Sequence, residues 1–320
     1  MLVPDVPSRL GAYKPANFDR SFRGVVPASQ ALAQSLNIPA VHLLSQFGVA
    51  RFQDKLKAVG LTSFTRSAEQ YGLTLVLGGG EASLEQLVGA YAGMARTLKH
   101  YHEWERQYHI DAYHPLTYLK DNYDAFPEGG FKSHGPLTTA SIFQTFDAMI
   151  KVSRPYGEQN WQRFASARQI AWKTGTSYGF RDAWAIGCTP EHVVGVWVGN
   201  ADGEGRPELI GSQSAAPVLF EVFDMLGTSQ EWFRMPREEM KEQQICLKSG
   251  HMASDLCPEV TKRWITQKGQ TSPLCPYHQE VLIDPDSALR VNSLCASPMI
   301  MERKACFVLP PVQEMYYREQ

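Results

Sequence analysis

The sequence predicts an α+β fold. Its expected form is an α/β sandwich, a central antiparallel sheet flanked by helices, with a small Cys-rich region at the C-terminal end. Two observations predict it. Three apolar runs follow one another closely at residues 170–176, 183–187 and 193–199, short enough for strands and close enough to pair with their neighbours. Elsewhere apolar residues recur at helical spacing, most clearly at Leu84, Leu87, Val88, Tyr91, Met94, Ala95 and Leu98. Composition fits a globular chain: 320 residues, 43% apolar and 20% charged, leave room for one large domain and a smaller one. A net charge of −2, with no dense basic stretch, gives no argument for nucleic acid as a partner. No run of about 20 apolar residues offers a membrane-spanning helix.

Taken in order, residues 1–27 are rich in Pro and Gly and read as chain extended over the surface. Helices are expected at about 29–36 and 39–59. Ser83 and Gln86 form a capping box, which starts the next helix at 84. Residues 99–136 are rich in His, Tyr, Trp and Gly and read as irregular, with a hairpin insertion. Residues 138–152 form a further helix. The three strands follow, with a turn at 189–192. The last two strands are nearly continuously apolar, so both of their faces are expected to be buried. A loop spans 201–217, and a helix at 218–227 closes the domain. Charge and Pro then mark a linker over 228–243. The expected organisation is therefore 1–227, a linker at 228–243, and a Cys-rich region at 244–320.

The chemistry-bearing residues lie at two distant places. Lys173-Thr174-Gly175 ends the first strand and is followed by Thr176. A strand edge can hydrogen-bond an extended peptide as an added strand. Lysine supplies positive charge, and flanking hydroxyls can bind a carboxylate. Gly175 leaves room for a ligand to lie flat, and the Thr176 N–H is placed to stabilise an oxyanion. The plainer reading is a solvated lysine and a turn glycine. Upstream, Ser35-Leu36-Asn37 lies at a helix boundary before Pro39. There Ser35 can relay protons and Asn37 can bind an amide. The plainer reading makes Asn37 a helix cap and Ser35 a surface residue.

These motifs, in this order, resemble the transpeptidase domain of class A, bifunctional penicillin-binding proteins. The likeness is carried by residues 172–184, by Val6-Pro7-Ser8-Arg9 with 13–19, and by Leu77-Gly78-Gly79-Gly80-Glu81 with the helix behind it. It covers about 1–227 well and the tail more loosely. The resemblance implies the fold shared with serine β-lactamases. It implies a D,D-transpeptidase that cross-links peptidoglycan by acyl transfer from D-Ala-D-Ala donors. Ser35, Asn37 and Lys173 would be catalytic, and Thr174, Gly175 and Thr176 would bind substrate. The implied partners are stem peptides on the lipid-linked precursor polymer, β-lactams, and other cell-wall synthesis proteins. No cofactor and no metal are expected. The implied location is the periplasm, with an inner-membrane anchor and a glycosyltransferase domain upstream.

One departure bears on activity. The family's nucleophile is the serine of Ser-x-x-Lys, placed before Ser-x-Asn, and no serine in this sequence has a lysine three residues later. Ser63-Phe64-Thr65-Arg66 comes nearest, but it follows Ser-x-Asn, and arginine cannot act as a base. The chain is therefore expected to be a fragment, a truncated product or a mis-called start that lacks acylation and folds poorly over 1–227 alone. The alternative is a non-catalytic binding or scaffolding fragment.

His100, His102, His109 and His114 have no tight ligand spacing and read as polar loop residues. Cys188 reads as a small buried residue on the middle strand. Cys246, Cys257, Cys275, Cys295 and Cys306 are disulfide candidates, because the implied location is oxidising. Zinc is the competing reading, invited by Cys246-x10-Cys257 and Cys275-Pro-Tyr-His278 but disfavoured because no Cys-x2–4-Cys pair occurs; free thiols are a third.

Overall fold

The computed structural model describes residues 1–118, 129–154, 168–227, 231–295, 297 and 299–317. The chain opens on a hairpin: β1 (Leu2–Asp5) pairs antiparallel with β2 (Gly24–Pro27), setting Leu2 opposite Pro27 and Asp5 opposite Gly24. Residues 1–27 are thus more than surface chain, since Leu2, Asp5, Asn17, Val25 and Val26 are all buried. Helices α1 (Ala28–Ala33), α2 (Asn37–Phe47), α3 (Val49–Ala58) and the short α4 (Ala68–Tyr71) follow. The helix expected over 39–59 is two helices, broken at Gly48. Its φ of +95° is a conformation that L side chains rarely adopt.

Helix α5 (Leu84–His100) begins at its expected capping box, where Ser83 Oγ accepts from Gln86 N at 3.1 Å. Strands β3 (Tyr108–His109) and β4 (Phe131–Lys132) form a short hairpin inside the expected insertion. Residues 119–128 of that insertion lie outside the described residues. Helix α6 (Thr139–Met149) leads to the central sheet of β5 (Ala171–Thr176), β6 (Asp182–Cys188) and β7 (Val193–Gly199), in that spatial order and antiparallel throughout.

Helices cover both faces of this sheet. On one face, Phe223 and Leu219 of α7 (Ala216–Leu226) pack on Trp172, Ala183 and Ala185. On the other, Ala95 and Leu98 of α5 and Ile142, Phe146 and Met149 of α6 pack on Ala171 and Cys188. Two glycines set how close the helices come. A Cβ at Gly187 would lie 2.6 Å from the Phe223 ring, and one at Gly195 would lie 2.4 Å from Val88. Strand β7 is less covered than its apolar sequence suggests. Among the described residues it is an edge strand, and Trp197 on it is 37% exposed. A second apolar cluster, Leu44, Val59, Leu61, Phe64, Tyr71, Leu75 and Ala90, gathers α2–α4 against α5 as a helical lobe beside the sheet.

The stretch read as a linker is packed. Residues 228–230 lie outside the described residues, but Phe233 is buried beside Phe146. Glu239 Oε2 accepts from Ala140 N at 3.0 Å and from Thr139 Oγ1 at 2.6 Å, so it caps α6 and suits the positive end of the helix dipole. Strand β8 (Met240–Cys246) begins inside that stretch and pairs with β9 (Val260–Thr266). Strands β10 (His278–Ile283) and β11 (Glu302–Phe307) form a second hairpin. Helix α8 (Pro311–Tyr316) returns to β2, where Phe22 meets Tyr316 with ring centroids 5.3 Å apart.

Candidate active-site cleft

The two distant motifs meet. Lys173 Nζ donates to Ser35 Oγ across 138 residues of sequence, and to the Thr174 carbonyl at 2.9 Å. Lys173 shares a sheet face with Ala171, the face covered by α5 and α6. Burial holds its ammonium well below the usual lysine value, at about 8.

Ser35 has a distinctive backbone. Helix α1 ends in a Schellman pattern: Leu36 N donates to Ala31 O at 2.9 Å and Ser35 N to Leu32 O at 3.1 Å. The residue after such a helix end is usually glycine, because its φ is positive. Ser35 occupies that position at φ +56° and is exposed. A side chain held in the left-handed region costs about 1–2 kcal/mol. The cost goes with a hydroxyl presented to Lys173.

Asn37 is the first residue of α2 and does not cap it. Its Nδ2 donates to Ala16 O at 2.9 Å. The cap comes from Asn17, whose Oδ1 accepts from Asn37 N at 3.0 Å and Ile38 N at 3.3 Å. Asn17 Nδ2 is held in turn by Ser21 O and by Asp5 Oδ1 at 2.8 Å. Asp5 is fully buried, accepts from Arg23 N at 3.0 Å, and pairs with the Arg23 guanidinium at 3.6 Å. Asp5 and Asn17 therefore position the Ser35–Asn37 turn. Reading the sequence assigned them no role. The available signal was a lone acid in a short apolar strand and an asparagine inside the 13–19 motif.

Thr176 Oγ1 accepts from Gly211 N at 3.1 Å, which leaves its own proton free to donate. Gly211 lies so near the sheet that a Cβ there would stand 2.5 Å from the Gly175 carbonyl. Phe18 meets Phe180 edge-on with centroids 6.3 Å apart, joining the Asn17 loop to the β5–β6 turn. Among the described residues no strand pairs with the outer edge of β5, which carries Lys173, Thr174 and Gly175. An edge of this kind can in general accept an extended peptide as an added strand.

The histidines do not gather. His109 is buried against Phe131, with Nδ1 accepting from Asp111 N, and His100 bonds Glu103. Cys188 is fully buried on β6, and burial raises its thiol pKa. None of the five disulfide candidates is paired. Cys295 is exposed and Cys306 half-buried on β11, while Cys246, Cys257 and Cys275 converge with His278.

No protein-family model matches the chain. It is 37% identical over 225 residues to penicillin-binding protein 1C of Escherichia coli K12, covering 70% of this chain and 26% of that protein. It is 28% identical to penicillin-binding protein 1B of Vibrio cholerae, covering 65% and 25%. The chain spans about a quarter of the length of these curated relatives. Among solved structures, PonA1 from Mycobacterium tuberculosis, determined in complex with penicillin V, matches with TM-score 0.56 and 22% identity, covering 73% of this chain and 65% of that one. Penicillin-binding protein 1A from Haemophilus influenzae matches with TM-score 0.60 and 16% identity, covering 86% and 45%. By homology and by the fold of its transpeptidase-like sandwich, the chain belongs to the penicillin-binding proteins.

Proposed function

We propose that this chain is the donor-recognising part of a peptidoglycan D,D-transpeptidase, acting in the periplasm on stem peptides that end in D-Ala-D-Ala. The contact between Lys173 and Ser35 carries the reading. It brings the two motifs to one point beside a strand edge that is unpaired among the described residues. A stem peptide lies along β5 as an added strand. Its C-terminal carboxylate meets the Lys173 charge and the Thr174 and Thr176 hydroxyls. Ser35 passes a proton between nucleophile and leaving amine through Lys173, whose desolvated amine is poised near neutral pH. In acyl transfer a serine attacks the penultimate D-Ala carbonyl, D-Ala departs, and an amine of a neighbouring stem takes the acyl group. This sequence offers no Ser-x-x-Lys for the first step. The chain as given therefore binds donors and β-lactams without acylation, and a scaffolding role is the second reading. Among the described residues no helix is long and apolar enough to cross a membrane.

A fluorescent penicillin tests this on the chain and on a version extended upstream through an in-frame Ser-x-x-Lys. The expected result is covalent label on the extended chain alone, abolished there by Lys173→Ala. A folded extended chain that takes no label would overturn the transpeptidase reading in favour of the scaffold.

A further inference from the structure

We infer that Cys246, Cys257, Cys275 and His278 form a structural zinc site that binds the C-terminal hairpins to each other. The three sulfurs and one ring nitrogen all lie within 4.8 Å of one another. In a tetrahedral zinc centre with Zn–S near 2.3 Å and Zn–N near 2.0–2.1 Å, an S···N edge measures about 3.5 Å. His278 Nδ1 lies 3.4 Å from Cys246 Sγ and 3.5 Å from Cys275 Sγ. A disulfide among the three cysteines would use two sulfurs and give the third, and the imidazole, nothing to do.

The surroundings are those of thiolates. Ser249 N donates to Cys246 Sγ at 3.4 Å, Ser249 Oγ to Cys275 Sγ at 3.1 Å, and Ser254 N to Cys257 Sγ at 3.4 Å. Donors aimed at each sulfur are what metal-bound cysteine requires around it. The turn that aims the Ser249 N–H is Cys246-Leu247-Lys248-Ser249-Gly250, closed by Gly250 at φ +67°. Cys246 and Cys275 are buried, and thiolates there need a cation. Three sulfurs and one imidazole satisfy zinc completely, so the site has no open position for catalysis. On binding, each cysteine thiol releases its proton to solvent, and His278 ligates neutral through Nδ1 with its proton on Nε2.

The four ligands come from separate pieces. Cys246 ends β8, Cys257 lies in the loop before β9, Cys275 precedes β10, and His278 begins it. The site also reaches the N-terminal hairpin, since Leu2 N donates to Ser249 O at 2.8 Å. Leu2 and Val25 share an apolar cluster with Cys246, Cys275 and Tyr277.

The test uses the full chain produced with zinc present and purified without chelator. Elemental analysis should find about one zinc per chain, and alkylation in denaturant should find every cysteine as a free thiol. Replacing zinc by cobalt should give thiolate-to-cobalt charge-transfer absorption and tetrahedral ligand-field bands. Cys295→Ser and Cys306→Ser should keep the full metal content, and His278→Cys should keep the metal with a changed cobalt spectrum. Cys246→Ser should lose it. A wild-type chain without zinc, carrying a disulfide at Cys246, Cys257 or Cys275, would overturn the inference. So would undiminished zinc in folded Cys246→Ser.

Discussion

The central sandwich and the C-terminal hairpins stand by different means. In the sandwich, Trp172, Phe146 and Phe223 are fully buried, and helices pack on both faces of one sheet. In the hairpins, β9 buries no residue fully and β11 lies largely open. The apolar cluster nearest them borrows Leu2 and Val25 from the first hairpin and is completed by three cysteines. Two-stranded ribbons of this kind are marginal alone. Hydrophobic burial holds the first region; the second has a smaller apolar cluster, which the inferred zinc ligands would supplement.

The contrast can be broken residue by residue. The largest single-residue effect is expected for Phe223→Ala, which removes the ring packed on β6 and should cost about 3–5 kcal/mol in denaturant unfolding. Hydrogen exchange read alongside should show α7 and β5–β7 loosened with β8–β11 unchanged. Zinc chelation should give the reverse pattern. If either change loosens both regions equally, the two-part account fails.

A smaller effect is expected in the pH dependence. Lys173 has a folded pKa of about 8 against 10.5 in the unfolded chain, so between those values the unfolded chain holds more protons. Stability should therefore rise with pH across that window, by about 1–2 kcal/mol once the partly solvated ammonium is allowed for. Urea melts of Lys173→Met should lack that rise. An identical slope in the variant would show that Lys173 is not desolvated.

The smallest effect is expected at Ser35. Ser35→Gly relieves the left-handed backbone and should stabilise the chain by about 0.5–1 kcal/mol, while weakening ligand binding. A loss of stability would mean that the Lys173 contact outweighs the backbone cost.

These differences also explain what could be read in advance. The strands at 170–199 and the helix from Ser83 were legible because each is set by local pattern: apolar runs of strand length, a capping box, a 3.6-residue repeat. The pairing of Ser35 with Lys173 was legible only through resemblance, since nothing local joins residues so far apart. Asp5 and Asn17 were missed for the same reason: their roles exist only once β1 and the 13–19 loop are folded against α2. The helix expected across Gly48 failed because apolar spacing continued through a residue whose backbone turned away. In the tail, Cys246-x10-Cys257 and Cys275-Pro-Tyr-His278 were visible in the sequence but set aside for want of a Cys-x2–4-Cys pair; only tertiary structure gathers the four side chains.

The central claim is that Lys173 and its neighbours read a peptide carboxylate. The direct measurement is binding of an N-acylated Lys-D-Ala-D-Ala peptide to the full chain by calorimetry or NMR, beside the same peptide with its C-terminus amidated. The account predicts that the acid binds, that amidation weakens binding at least about tenfold, and that Lys173→Met erases the difference. Equal binding of acid and amide to the wild-type chain would contradict it.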